Sequence, residues 1–524
     1  MARVRCRFGT AVLAALLGGA GVWFLAVPAG RAPAGAVERV ERPPAIRPDF
    51  TGLTLPPNIA PLNFRIEEEA SRFFVNIHSR RGPAIGISSR SGRISIPRNP
   101  WRRLLEANRG QDLFVDVYAE DPRGRWRRFR TITHRIAEED IDGFVAYRNM
   151  HPARSSWTMS LHARDLGRFD ETEFLRYDSG FEAACVNCHT PRGNRPDLML
   201  IGIRSKRFGA STLLIENRVP RKIGAQFGYA SWHPSGRLAV YSVNDFPIFF
   251  HSARGQIHDT VDRDSYLACF RPDRRTLRPC PPLARKERLE NWPAWSPDGR
   301  YLYYCAAPKL WEDTGQTPPE RYREVRYDLE RISYDLEADR WGPVETVLSS
   351  AATGKSAAMP RVSPDGRWLS FCLIDHGFFP NWREESDLYL VDLEAAGRGG
   401  TFGFRRMELN SDRSESWHSW SSNGRWLAFS SKRDHGIFTR IYLAYVDREG
   451  RAHKPFLLPQ EDPDFYESCL LAFNTPEFLT GPVPCGRGRL EGVVGGAEAL
   501  RVDAVTLPTP KGPGGPPRAS GEWE

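Results

Sequence analysis

Apolar and polar residues alternate with a period of two from about Phe64 to Arg148. Phe73, Val75 and Ile77 lead the pattern, followed by Ile85 and Ile87, Ile94 and Ile96, Leu113, Val115 and Val117, and then Phe129, Thr131 and Thr133. Such alternation places one set of side chains on each face of a half-buried strand. Asn99 to Ala107 reads as a short capped helix, and Asp121-Pro122-Arg123-Gly124 as a turn. The stretch predicts a small β-sandwich over 64–148, in which His78 and His134 are surface or packing residues rather than ligands.

From Gly228 the pattern becomes a repeat. Four units begin Tyr229-A-S-W-H-P-S-G-R, Pro293-A-W-S-P-D-G-R, Pro360-R-V-S-P-D-G-R and His418-S-W-S-S-N-G-R, each followed by a second strand rich in aromatic and aliphatic residues. Their turn glycines, Gly236, Gly299, Gly366 and Gly424, stand 63, 67 and 58 residues apart. Proline, Asp or Asn, and then glycine set a tight turn, with glycine taking the positive φ. Later strands recur at Asp387-L-Y-L-V-D-L, at Arg440-I-Y-L-A-Y-V-D and, more loosely, at Arg331-I-S-Y-D-L. A unit of this kind cannot bury its own two faces, so units must stack. Leu198–Ile203 and Ser211–Ile215 start a further unit, Tyr466–Phe478 can close a ring from the C-terminal side, and the insertion 246–290 has room for more strands. Five or six blades are expected over 197–480, with six preferred. Two loops share Asp-His-Gly, at Asp375–Gly377 and Asp434–Gly436. A repeated turn explains them, with a rim binding site as the alternative.

Between the two patterned regions lies an irregular segment, 149–196, which holds Ser179-G-F-E-A-A-C-V-N-C-His189. Cys185-x-x-Cys188-His189 is the attachment sequence of a c-type haem: two thiols add to the porphyrin vinyl groups, and the adjacent histidine supplies the proximal nitrogen to the iron. Ser179 with Glu182 is a capping-box signature, so the motif is expected on a short helix that ends at Pro191 and Gly193. A zinc knuckle needs a second Cys or His pair at ligand spacing, and a thioredoxin-like motif needs a buried strand just before it. Neither pattern accompanies the motif. Met150, His151, Met159, His162 and Met199 are the candidates for a sixth iron ligand. Met199 is preferred, and an open position is the alternative.

The N-terminus changes the picture by giving an address. Arg3, Arg5 and Arg7 precede the charge-free apolar run Thr10–Val27, and Ala34-Gly35-Ala36 offers a cleavage site. Residues 1–36 therefore read as an export signal, or as an inner-membrane anchor if uncleaved. A periplasmic or otherwise exported location agrees with haem c attachment. The Pro-rich stretch 37–63 reads as an extended linker, and 481–524 as a disordered tail. The net charge of +9 is scattered, without the aromatic-interleaved basic stripe of a nucleic-acid binder, and reads first as a basic solvated surface, with an acidic redox partner or an anionic membrane face as the alternative. Of the nine cysteines, Cys6 falls in the signal and two in the motif. Cys269 with Cys280, or Cys469 with Cys485, are near enough in sequence to pair in an oxidising compartment. Cys305 and Cys372 occupy matching repeat positions and read as buried free thiols.

The repeats resemble the blades of TolB-type β-propellers. Together with the opening P-D-F-T-G-L-T-L-P-P-N-I-A-P-L-N-F (Pro48–Phe64), the Cys185-x-x-Cys188-His189 motif and E-S-W-H-S-W-S-S-N-G-R-W (Glu415–Trp426), they resemble a group of exported bacterial proteins that pair a haem c segment with such a propeller. The resemblance implies a mainly β fold with an N-terminal β-sandwich-like domain, a haem segment and a propeller, and one covalent haem c. It supplies no reaction. The expected function is a monohaem electron carrier whose propeller docks a redox or envelope protein. The alternatives are a haem-dependent oxidoreductase with a substrate or second cofactor on the propeller, and a non-catalytic envelope scaffold or sensor. The chain has no G-x-S-x-G elbow, which points away from hydrolysis.

Overall fold

The computed structural model describes residues 37–151, 159–177, 185–205, 207–250, 258–312, 318–399, 402–496 and 498–504, together with Pro33. The expected export signal, the capping pair Ser179 and Glu182 and the last residues of the expected tail lie outside the described residues. Among the described residues no helix is long and apolar enough to cross a membrane.

The alternating N-terminal region forms the expected sandwich. Asp112–Glu120 is the central strand of the larger sheet, paired with Arg72–Ser79 on one edge and with Trp126–Phe129 and Ile132–Ile136 on the other. Ile46–Arg47, Phe64–Ile66 and Arg93–Ile94 make the smaller sheet. Helix Arg98–Ala107 buries Trp101, Leu104 and Leu105 against them. The stretch 37–63 departs from the linker reading. Val37–Val40 and Thr54–Leu55 join the larger sheet, and Phe50, Leu53, Leu55, Ile59 and Leu62 are buried in a core shared with the rest of the chain. Proline lacks an N–H, so a Pro-rich segment leaves few backbone donors to satisfy when buried. Thr54 Oγ1 pairs with His453 Nδ1 at 2.8 Å, Asn63 Nδ2 donates to the Glu461 carbonyl at 2.8 Å, and Ser422 Oγ donates to Asp142 at 2.5 Å.

The remaining strands form five sheets of four strands and one of five, arranged as a β-propeller, with a two-stranded hairpin of Ile248–Phe250 and His258–Thr260 beside them. In chain order, blade 1 contains Phe144–Met150, Met159–Asp165 and Glu171–Tyr177, and blade 2 runs from Cys185–Arg192 to Val219–Ile223. Blade 3 runs from Ala230–Trp232 to Thr276–Pro279, blade 4 from Arg288–Trp295 to Arg340–Leu348, blade 5 from Ser356–Val362 to Phe404–Arg406, and blade 6 from Glu415–Trp420 to Phe456–Leu457. The innermost strand of blade 1 comes from the far end of the chain: Ala472–Leu479 pairs antiparallel with Phe144–Met150. It also packs against the innermost strands of blades 6 and 2, so the ring is continuous.

The repeated turns follow from their sequence. Ser296 Oγ donates to Asp298 at 2.6 Å, the amides of Arg300 and Tyr301 bond the Asp298 carboxylate and Ser296 Oγ, and Gly299 takes φ +73°. The same bonds recur at Ser363–Asp365 and Ser421–Asn423. The Asp-His-Gly loops are turns as well, with Gly377 at φ +76° and Gly436 at φ +69°.

Three further expectations differ from the structure. Cys185–His189 is strand, not helix: the ladder with Arg195–Ser205 overrides the local helix signals. The segment 149–196 is not a separate unit, because its strands belong to blades 1 and 2. The stretch after Gly481 is not wholly a tail. Helix Arg487–Gly496 buries Leu490 and Val494, Arg487 pairs with Glu173 at 2.7 Å, and Asp503–Ala504 adds a short fifth strand to blade 3. Cys269 and Cys280 form a disulfide, whereas Cys469 and Cys485 are free. Cys305 and Cys372 are buried free thiols.

If the helix is part of the fold, Leu490→Ala costs about 2–5 kcal/mol. Leu470→Ala, at a side chain 64% exposed, shifts stability by no more than about 0.5 kcal/mol. Urea unfolding measures both, and equal effects would detach the helix from the folded unit.

Candidate axial site

The innermost strands share a defect at one level. The pairing register slips by one residue between Asn291 and Ala294, Ala358 and Arg361, and Ser416 and Ser419, and likewise opposite Ala146 and Arg148 in blade 1. Blade 2 slips between Val186 and His189. At each of the first four bulges one residue takes a left-handed conformation: Trp292 at φ +56°, Met359 at +53°, Trp417 at +49° and Thr475 at +54°. A bulge re-aims side chains, and a non-glycine residue held there costs on the order of 1–3 kcal/mol. Here it turns them toward the axis. Tyr229, at the same place in the blade 3 repeat, stacks on Trp292 with ring centres 3.5 Å apart, and Trp292 meets Trp417 edge-on at 5.5 Å. Together they make an aromatic collar.

Two cavities meet at the collar, since Tyr229 and Trp417 line both. The larger, about 230 Å³, is walled by Arg148, Met150, Met159, Arg204, Phe379 and Trp382 among others. The smaller, about 30 Å³, is lined by His189, Met359, Arg361, His418 and Glu477. His189 is 1% exposed and His418 2% exposed. Each ring has one backbone group in reach, Ala146 for His189 and Ser370 for His418, and no side-chain partner among the described residues. Burial pushes His189 down to about 4, against a hydrogen bond to the Ala146 backbone, with Arg148 and Arg361 adding to the shift. Burial and Arg361 push His418 down to about 3, against a hydrogen bond to the Ser370 backbone. Both rings are therefore neutral at ordinary pH, the form that offers a lone pair to a metal. Glu477 is tied to Arg361 at 2.7 Å, and burial raises its carboxyl against that partner. Among the described residues no cluster of three or more His, Cys, Asp or Glu is placed to hold a bare metal ion.

The residues expected from the sequence separate into two groups. His189 reaches the axis, on the innermost strand that also carries Cys185 and Cys188. Met150 and Met159 line the larger cavity, and Met150 Sδ accepts a bond from Asn474 at 3.2 Å. Met199 does not join them. It is fully buried in an apolar cluster with Ile201, Leu213 and Ile215, and it lines neither cavity. His162 Nδ1 lies 2.5 Å from Glu171 Oε1 and its ring stacks on Tyr147, and His151 lines neither cavity. The residue missed from the sequence is His418. Its signal was visible: it stands where the repeat has Pro293, Pro360 and Ala230.

A buried polar network backs the collar. Asp262 accepts bonds from Tyr327 at 2.7 Å and Ser265 at 2.5 Å, and from the Asn291 amide, which also meets Asn244 at the larger cavity.

No protein-family model matches the chain, and no curated protein matches it. Among solved structures, oligogalacturonate lyase from Vibrio parahaemolyticus is 13% identical over 65% of this chain and 87% of its own, with a TM-score of 0.32. Puromycin hydrolase is 15% identical over 60% of this chain and 45% of its own, with a TM-score of 0.34. A luciferin-regenerating enzyme is 11% identical over 60% and 92%, with a TM-score of 0.33. These are propeller-type proteins, and at such values the likeness carries no argument about activity. Fold and axis together define a six-bladed β-propeller protein with an N-terminal β-sandwich domain.

Burial pushes the Asp262 carboxyl up from 3.8 to about 7. The folded chain thus holds a proton that the unfolded chain has released, and this group's contribution to stability falls as pH rises from about 4 through 7. Asp262→Asn removes that dependence. Urea unfolding between about pH 5 and pH 8 should show the variant losing less stability than the unaltered protein, and equal pH slopes would contradict the assignment.

Proposed function

We propose that this is an exported redox protein carrying one covalent c-type haem. The haem is attached through Cys185 and Cys188 and held at its iron by His189, and it passes electrons to a protein partner docked on the propeller. The observation that carries the reading is His189 itself. It is the histidine of a haem-attachment motif, it lies in the wall of an axial cavity, and it is buried with the Ala146 backbone as its one hydrogen-bond partner. That leaves one ring nitrogen bare at a cost of about 1–3 kcal/mol, and an iron bond would supply its partner.

The surroundings offer chemistry that suits the group, but cavities of about 230 and 30 Å³ are smaller than a porphyrin, so the axis has to open to admit it. The collar of Tyr229, Trp292 and Trp417 offers flat apolar faces, and Arg148 and Arg204 in the wall of the larger cavity offer cations for porphyrin carboxylates. When bound, the haem supplies one-electron chemistry. The chain's part is to exclude water around His189, keep its ring neutral and orient it, which with the second ligand sets the potential. A second reading, a haem-dependent oxidoreductase, draws support from the 230 Å³ cavity beside the collar, which has room for a small substrate. The net charge is +9 for the whole sequence, with Arg3, Arg5, Arg7 and Arg31 of the expected signal supplying four of it, and the excess of positive charge that remains suits an acidic redox partner.

Produced with the haem c maturation machinery, the protein should keep one haem per chain in denaturant and show a reversible one-electron transition. Cys188→Ala should lose the covalent haem. A chain that leaves the export pathway with no attached haem would overturn the proposal. Turnover of a small substrate by the purified protein would favour the second reading over the carrier.

A further inference from the structure

The wall of the larger axial cavity is unbalanced in charge. Arg148 and Arg204 line it, and among the described residues no Asp or Glu does. Two cations taken from water into one wall without a carboxylate repel each other and lose hydration. Arg148 is fixed by donating Nε to Asn474 Oδ1 at 3.0 Å. Arg204 lies over the Phe246 ring, 5.7 Å from its centre, and its Nε is buried without a partner. Two more donors of the same wall are unmet, Trp417 Nε1 and Thr260 Oγ1, on residues 6% and 4% exposed. Unmet buried donors beside cations call for a ligand rich in acceptors. A planar guanidinium matches a carboxylate in shape as well as charge.

The rest of the wall selects what carries that carboxylate. Tyr229 and Trp417 of the collar are joined by Phe246, Phe379 and Trp382, so five aromatic side chains line the space. Its volume of about 230 Å³ equals the share of about eight waters, which admits a single ring with a carboxylate and excludes a porphyrin. We propose that the larger cavity is a binding site for a small aromatic carboxylate, its charge met by Arg148, Arg204 and the donors of Trp417 and Thr260, and its ring by the aromatic wall. As a substrate site it rests on the second reading above, whose substrate class it names. As a binding site it does not require the haem.

The propionates of a haem carry the same chemistry, and the test separates the two sources. The chain is produced with and without the haem c maturation machinery, its haem content is measured, and each preparation is titrated calorimetrically with benzoate, benzamide and acetate. Benzoate should bind once per chain in both preparations, roughly tenfold or more tighter than neutral benzamide or ringless acetate. Arg204→Gln should weaken benzoate roughly tenfold or more and leave benzamide unchanged. Equal binding of benzoate and benzamide, or no benzoate binding tighter than about 1 mM, would overturn the inference, and this comparison on the unaltered protein decides the matter even if the variant does not fold. Binding confined to the haem-free chain would also overturn it, by giving the arginines to the haem's own carboxylates. An exported chain that binds benzoate but carries no haem would sink the functional reading and uphold the binding site.

Discussion

Pairing between Phe144–Met150 and Ala472–Leu479 is the constraint on which the rest of the structure depends. Each blade buries its faces only against its neighbours, so the ring is stable when the last joins the first. Here the joint is made within one blade, by strands from opposite ends of the propeller. All eight residues of Ala472–Leu479 are buried. Closure brings six innermost strands to one axis, where their bulges act together. A single left-handed tryptophan would be a local strain. Tyr229, Trp292 and Trp417 make the collar where the two cavities meet, and Met359 and Thr475, bulged in the same way, line the smaller one.

The axis is also where burial does the chemistry. His189 and His418 are kept neutral because water is excluded around them and Arg361 stands close, not because a carboxylate orients them. The turns of the same blades work differently: there Ser296, Asp298 and their counterparts satisfy one another through side-chain and backbone bonds.

The strands and turns were legible because their chemistry is local. Alternation at Phe73, Val75 and Ile77 and the turn glycines Gly299, Gly366 and Gly424 each specify a short stretch on their own. What escaped was set by distant partners. The motif around Cys185 carries helix signals, yet the ladder with Arg195–Ser205 makes it a strand. Pro48–Asn63 has a linker's composition but is buried against blade 6, and Leu490 is a core residue in a Gly-rich stretch. In the site, His189 was legible from its motif. His418 lies 229 positions further on and becomes its neighbour only when the ring closes. Its substitution for proline in the repeat was the one trace in the sequence.

Diffraction from crystals of the haem-loaded protein at the iron absorption edge tests the central claim most directly. The account expects one anomalous peak per chain, within bonding distance of a ring nitrogen of His189. A peak bound elsewhere, or none at all, would contradict it.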